Sequence, residues 1–568
     1  MQPIRSVTSF RALPLWTVLP AVLALVLLAY QLAVPWLVPH FSTQDGPSHV
    51  YSATVLWDLV LHHKTSAYSP LYTVQRGALP NWTATLILAA ARPLVGAKHA
   101  ERLFFSLAFL AGFLAWCYAR LALAPQESRW TPVANFLYHT WFLWIGFFNF
   151  YLGMALVPLA IGLYVRKEGR LSSRRAAALA LTLLVVFATH LVAAVVALMA
   201  ILVIAFWVHI AVPVVCGTNA RARWLPPLDR VRQFGLLLLA AAPVVLLMAV
   251  WLAKAEAPAN FDPQIAWAWE QFPMHIFLTA GGEAKQPLLW EVLLGYAGLG
   301  ALLLKGREWA SAKGGLVLAT LLVFAAYLFV PDKGFGGSEA KIRFSWAVFV
   351  LAGLVACSAS RLRFLHLPMA VFFACFAWAN TTATLRTAAA VSNVVEDYLK
   401  VARHIAPGSS FVRLRYPAPG LAAHYGYEGI GRDPVFHLDA LVAADGHSLD
   451  LGDYEALDDR IFPVVFKSYV DRMQLSGLWS FEGPDPDSDK TLQWIEYSFP
   501  VPADFVLVVG DIRSPDSVRM GMPRIIDYLD STMRPVASSP GRTFRLYQRR
   551  CGAPIDDPDR ATGHPCAD

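Results

Sequence analysis

Apolar runs of about 20 residues recur along the first two thirds of this chain, more than any soluble core could bury. A bilayer core about 30 Å thick is crossed by roughly 20 apolar residues in a helix, with about 17 to 25 tolerated. Candidate spans fall near residues 14–38, 103–124, 132–148, 150–166, 175–190, 191–215, 233–254, 287–304, 315–330, 343–359 and 364–385. Several are short. A mean hydropathy of +0.47 and a charged fraction of 15% also lie outside the soluble range. The expected architecture is an all-α polytopic membrane domain of about eleven transmembrane helices over residues 1–385. A small soluble α/β domain follows over residues 386–568.

The formal charge of +7 conceals a split. Residues 1–385 hold 28 Lys/Arg against 14 Asp/Glu, and residues 386–568 hold 19 against 26, so the parts carry +14 and −7. The positive residues stand in short clusters between apolar runs, the pattern of a topology signal rather than of a nucleic-acid surface. No nucleic-acid partner is expected. Of six cysteines, only Cys551 and Cys566 in the tail suit a disulfide, and no CxxC spacing suggests zinc or a redox motif. Arg5 and Arg11 precede a first apolar run that is too long for a signal peptide and lacks a small-residue cleavage site, so it reads as a retained helix.

The segment NWTATLILAAARPLVG at 81–96 decides the topology, because counting it as a span reverses every later loop. Treated as an interfacial helix, it leaves 18 basic residues on the inner side: Arg5, Arg11, Arg120, Arg129, five in the run 166–175, Arg221, Arg223, Arg230, Arg232, Lys305, Arg307, Lys313, Arg361 and Arg363. The positive-inside rule prefers that parity. The first loop, residues 39–102, then faces outward together with 255–286, 331–343 and the tail. A multi-pass protein of a bacterial inner (plasma) membrane is expected, with a cytoplasmic N-terminus and a periplasmic or equivalent extracytoplasmic tail. In that tail VVEDYLKVARHIAPG reads as a helix with a Pro-Gly stop, and FVRLRY, DFVLVVGD and TFRLYQRR read as strands. The stretch 417–500, rich in Gly, Pro and Asp, carries no assignment.

Chemistry concentrates where the first helix leaves the membrane, at FSTQDGPSHVYSATVLWDLVLHH. Asp45, Gly46 and Pro47 make a helix-start signal, with an acidic N-cap and Pro in the first turn. Asp45 and His49 are four apart and Ser48 and Tyr51 follow, so one helical turn presents a carboxylate, an imidazole and hydroxyls together. The plainer reading is an N-cap with a surface histidine.

The outward loop PDKGFGGSEAKIRFSW at 331–346 carries glycines and three cations, Lys333, Lys341 and Arg343. They suit a phosphate, with Arg as a fork and Lys as a point charge; snorkelling at a helix end is the alternative. Asn149 in GFFNFYLG and His190 in VVFATHLVAA interrupt apolar spans near the outer face, where polar groups line a cavity or bond a partner helix. DPDSDKTLQWIE at 485–496 approaches a calcium loop but has Lys490 where Gly belongs, so it reads as an acidic surface turn. No P-loop, HExxH, G-x-S-x-G or dinucleotide fingerprint occurs.

An acid just after the first helix, the Pro-led stretch ALPNWTATLILAAARPLVGAKHAERLFFSLAFLAG and the closing FVLVVGD and TFRLYQRR together resemble the GT-C class of membrane glycosyltransferases. That class includes the protein mannosyltransferases and the lipid A aminoarabinose transferases. The resemblance spans nearly the whole chain. It implies transfer of a sugar from a polyprenyl-phosphate donor to an acceptor at the outer face. In that class the acid is a catalytic base or a metal ligand, and Asp45 alone matches its position. A second acid is often adjacent there, but Gln44 stands in its place here, so no cofactor is expected, with a bound divalent metal as the weaker alternative. His49 would position the acceptor, and Lys341 and Arg343 would stabilise the departing phosphate. Expected partners are the lipid-linked sugar donor, membrane lipids and an acceptor left open. Two further functions are weighed beside this one. A transporter or flippase of lipid-linked glycans would need polar residues through the midplane, and a non-catalytic membrane scaffold would leave Asp45 replaceable.

Overall fold

The computed structural model describes residues 15–550 except 76, 78–79, 167–168, 216–226, 255–263, 281–286, 333–338, 416–420, 428–432, 458–460, 468–500 and 511–522. Lys333, Cys551, Cys566 and the acidic turn at 485–496 lie outside the described residues. Helix α1, Leu15–Ala33, follows from the apolar run LWTVLPAVLALVLLAYQLA. The first loop holds α2, Gly46–His62, the short strand β1, Tyr72–Val74, and α3, Trp82–Val95. Helix α4, Ala97–Leu123, is 27 residues long and spans about 40 Å at 1.5 Å per residue.

The run 132–148 is not the continuous helix that its composition suggests. It forms two short pieces, α5, Val133–Leu137, and α6, Phe142–Ile145, ending at Gly146 with φ 78°. Non-helical backbone at membrane depth survives only where protein satisfies its polar groups, and here four helices do so. Gln31 of α1 donates to the Asn135 carbonyl (2.9 Å), and Trp346 donates to the Leu137 carbonyl (2.9 Å). Tyr151 donates to the Tyr138 carbonyl (2.6 Å), and Asn380 to the His139 carbonyl (3.2 Å). The chain thus runs from one end of the bundle to the other as a broken segment.

The remaining apolar runs are helical: α7, Phe148–Val165; α8, Ser173–Thr189; α9, Leu191–Phe206, continued by a π-turn into α10, Val212–Val215; and α11, Pro227–Leu252. Then come α12, Ile265–Ala280; α13, Pro287–Leu302; α14, Gly306–Trp309; α15, Ala312–Phe329; and α16, Ala340–Ser358. Helix α12 lies where the sequence suggested only a loop. Eight helices among the described residues are long and apolar enough to cross a membrane. Their outward faces expose Leu25, Leu121, Leu239, Leu246 and Leu321, as lipid-facing surfaces do. Helix α17, His366–Ala402, has 37 residues, about 55 Å of helix against a hydrocarbon thickness near 30 Å. The domain boundary expected at 385 falls inside it.

The tail forms a five-stranded sheet in the order β3-β2-β5-β7-β6. Strand β2, Ser410–Arg415, is parallel to β3, Leu449–Asp450, and to β5, Phe505–Val509. Strand β7, Phe544–Arg549, is antiparallel to β5 and to β6, Met533–Ser538. All five residues of β5, FVLVV, are buried, as in a central strand covered on both faces. Helices α18, Leu421–Tyr425, α19, Leu438–Gly446, and α20, Pro523–Thr532, complete the α/β domain. One strand leaves it: β4, Val464–Phe466, pairs antiparallel with β1 of the first loop, Tyr72 opposite Phe466. Tyr51 donates to the Ser448 carbonyl (3.2 Å) and Tyr72 to the Asp450 carbonyl (2.7 Å). Loop and tail therefore form one interlocked body.

Contacts sort the helix ends into two sets. At one end the start of α4 meets Thr43, the Trp144 and Ile145 carbonyls accept from the Gln44 and Asp45 amides, and α17 meets His40 through Ser392. At the other, His366 bonds Glu127 (2.8 Å), and Lys313 reaches Glu308 (2.9 Å) and the Ser358 carbonyl (2.7 Å). Arg129 joins Glu127 there, and Arg166 is the C-cap residue of α7.

Candidate active site

Pro47 in the first turn starts α2 as the sequence suggests, but Asp45 does not cap it with its side chain. Thr43 takes that load. Its hydroxyl accepts from the Gly46 amide (3.1 Å) while donating to the Glu101 carboxylate (2.7 Å), which also accepts from the Thr43 amide (2.9 Å). The packing demands glycine twice: a Cβ on Gly46 would meet a Glu101 oxygen at 2.2 Å, and one on Gly146 would meet the Thr43 hydroxyl at 2.4 Å. The Asp45 carboxylate is thereby released from helix capping and points into the loop–tail junction.

Around it stand groups from distant parts of the chain. Gln44 donates to Oδ1 of Asp45 (3.0 Å), His437 Nε2 lies 3.8 Å from the same oxygen, and the Tyr454 hydroxyl hydrogen-bonds the carboxylate. Tyr454 and His437 stack with ring centroids 4.4 Å apart. Burial lifts the Asp45 carboxyl to about 6, opposed by the Gln44 hydrogen bond and by the His49 charge. Burial and the charges of Arg413 and Arg415 hold His437 well below the ordinary histidine range.

His49 does not face solvent. Its Nδ1 lies 2.5 Å from Oε1 of Glu455, its ring also hydrogen-bonds the backbone of Gly146, and it packs on Phe148 at 5.1 Å. Glu455 Oε2 accepts from Ser52 (2.6 Å). Burial works to lower the imidazole, but the adjoining Glu455 carboxylate outweighs it and the net direction is up. Burial also pushes Asp450 and Asp453 well above the usual carboxylate range.

The other residues singled out by sequence divide. Arg343 lies with its guanidinium 4.7 Å from the Phe147 ring centroid and 5.6 Å from that of Phe150, within electrostatic range of Asp45, Asp332 and Glu339. Lys341 is fully buried and its ammonium donates to the Tyr327 (3.1 Å) and Leu328 (3.0 Å) carbonyls, satisfying the C-terminal end of α15. That geometry suits a structural cap rather than a phosphate contact. Asn149 accepts from the Ala84 amide (2.9 Å) and so caps α3 from a neighbouring helix. His190 accepts from the Val192 amide (3.1 Å), capping α9, and sets its ring against Phe150 at 5.1 Å. The structure brings Asp45, His49 and Arg343 to one end of the bundle and gives Lys341 and Asn149 anchoring work.

Glu101, His437, Tyr454 and Glu455 were not selected from the sequence. Nothing local marks them, since Ser52 and Glu455 are 403 residues apart and the acidic run DLGDYEALDD lies in the stretch 417–500 that carries no assignment. Among the described residues no three His, Cys, Asp or Glu side chains converge as metal ligands. Asp45 offers one carboxylate already bonded to an amide, so the residues present do not fit a metal centre.

No family model matches this chain, and no curated protein matches it. Solved structures do. The chain is similar to ArnT from Cupriavidus metallidurans bound to undecaprenyl phosphate, at 11% identity and a TM-score of 0.48, over 95% of this chain and 99% of that one. It is similar to the arabinofuranosyltransferase AftD from Mycobacteria at 15% identity and a TM-score of 0.43, over 96% of this chain and 42% of that one. The Archaeoglobus fulgidus oligosaccharyltransferase tethered with an acceptor peptide aligns at 10% identity and a TM-score of 0.45, over 95% of this chain and 75% of that one. All three are GT-C glycosyltransferases. Identities this low leave the function to the site's own geometry.

Proposed function

We propose that this chain is a membrane glycosyltransferase that moves a sugar from a polyprenyl-phosphate donor to an acceptor hydroxyl. The observation that carries the reading is the Asp45 carboxylate. It is buried, lifted to about 6, freed from helix capping and within electrostatic range of Arg343. A carboxyl in that range is still ionised at neutral pH yet basic enough to accept a proton in the transition state. Asp45 takes the acceptor proton as the acceptor oxygen attacks the anomeric carbon, and the sugar–phosphate bond breaks. Arg343, a planar fork suited to phosphate, offsets the charge on the departing lipid phosphate. Exposed apolar helix faces beside the site suit a lipid-borne donor.

Sidedness follows from charge. Arg120, Arg129 and the arginines at 166–175 gather away from the Asp45 end, so the positive-inside rule supports an extracytoplasmic site. The test uses the purified full chain in nanodiscs with radiolabelled undecaprenyl-phosphate sugars and measures release of undecaprenyl phosphate. Turnover of one donor that Asp45→Asn abolishes supports the reading. Equal turnover by both proteins removes it. Mass spectrometry of surface glycans with and without the gene identifies the sugar.

A further inference from the structure

The imidazole of His49 is held by two contacts. One is the Glu455 carboxylate at 2.5 Å, and the other is the backbone at Gly146. A carboxylate this close to an imidazole nitrogen favours the charged imidazolium over the neutral ring. Glu455 is itself buried and anchored by Ser52 at 2.6 Å, and it sits on the short turn Glu455–Leu457 of the tail. His49 therefore cannot turn to accept a substrate proton without breaking a buried charge pair, and removing one partner of such a pair strands the other in a low-dielectric site.

We infer that Glu455 is a positioning residue for Asp45: from the tail it fixes His49 as a cation one helical turn from the carboxylate, and the active site is incomplete without it. This rests on the reading of Asp45 as the base. It corrects the role that the sequence suggests for His49, which becomes the charge that keeps Asp45 ionised inside a buried site instead of a group touching the acceptor. Four ionisable groups face His49: Asp45 at the start of its own helix, Glu101 on α4, and Glu455 and His437 from the tail. Asp45 feels both members of the pair, lowered by His49 and raised less strongly by Glu455. Loss of Glu455 discharges His49 and removes both influences, so the Asp45 acid limb moves to higher pH.

The test uses the full chain in nanodiscs, labelled with ¹⁵N-histidine, with the His49 signal assigned by its loss in His49→Asn. In the wild type both ring nitrogens of His49 carry protons at pH 7. In Glu455→Gln the ring is neutral at pH 7, kcat falls about 10- to 100-fold, the size seen for groups that orient a reacting residue, donor KM changes little, and the acid limb shifts upward. Glu455→Asp restores part of kcat. A neutral His49 at pH 7 in the wild type overturns the inference without any variant, so it is tested even if Glu455→Gln fails to fold. A His49 titration that ignores Glu455→Gln overturns it as well. An active Asp45→Asn would remove the base assignment while leaving these ring signals as they are, so the two failures are distinguishable.

Discussion

Replacing Asp45 by Asn should abolish transfer and stabilise the protein at the same time. Lifting an aspartate from about 3.9 to about 6 disfavours its charged form by about 3 kcal/mol, at 1.36 kcal/mol per pH unit. The native carboxyl binds its proton more tightly than the unfolded one. The cost of burying the charge is therefore present in full above about pH 6, shrinks as the pH falls from 6 towards 4, and is gone below about pH 4. Asn keeps the shape and carries no charge at any pH. Helix α2 does not lose its start, because Thr43 and not Asp45 bonds the Gly46 amide. The variant should thus melt above the wild type at pH 8, by an amount reflecting up to about 3 kcal/mol, and level with it at pH 4. Its transfer rate should fall about 10²- to 10⁴-fold. Thermal melts followed by intrinsic fluorescence at both pH values, with the donor-turnover assay beside them, measure the two effects. An Asn variant that melts below the wild type at pH 8, or transfers sugar at the wild-type rate, would refute the reasoning.

Three further outcomes are expected. Arg343→Gln should raise donor KM about tenfold or more, since a charge-assisted contact is worth about 1.5–3 kcal/mol, with little change in melting; steady-state kinetics over donor concentration decide it. Lys341→Ala should do the reverse, lowering the melting temperature through two orphaned carbonyls at the end of α15 while leaving donor KM unchanged. In a cysteine-accessibility scan, positions 440–447 should label from the same side as 58–64 and positions 172–175 only from the other. Labelling of both sets from one side would undo the assignment of the site to the extracytoplasmic face.

Sequence reached the elements whose signals are local. Asp45-Gly46-Pro47 starts a helix, the segment 81–96 is helical as α3, and FVRLR, FVLVV and FRLYQR are strands. Apolar length located most of the long helices, eight of which are long and apolar enough to cross a membrane among the described residues. Hydropathy failed at 132–148 for a physical reason: a buried broken segment is as apolar as a helix, and the donors that permit the break lie on α1, α7, α16 and α17. The site was legible only on its first-loop side. Asp45 and His49 share one helical turn, but Glu455, His437 and Tyr454 reach them through tertiary contacts that no spacing encodes. For Asn149 and Lys341 the sequence leaves ligand contact and anchoring both open, because a buried polar group in an apolar span looks the same in sequence whichever partner it has.

The 403 residues between Ser52 and Glu455 also set a schedule. At about 5–20 residues per second, the ribosome needs roughly 20 to 80 s to make the second half of the site after the first has emerged. During that interval Asp45 and His49 stand at the membrane surface without Glu455, His437 or Tyr454, and the interlock between the first loop and the tail cannot close. On the proposed reading, a nascent or truncated chain that lacks Glu455 should therefore be inert, and synthesis of the tail completes the site.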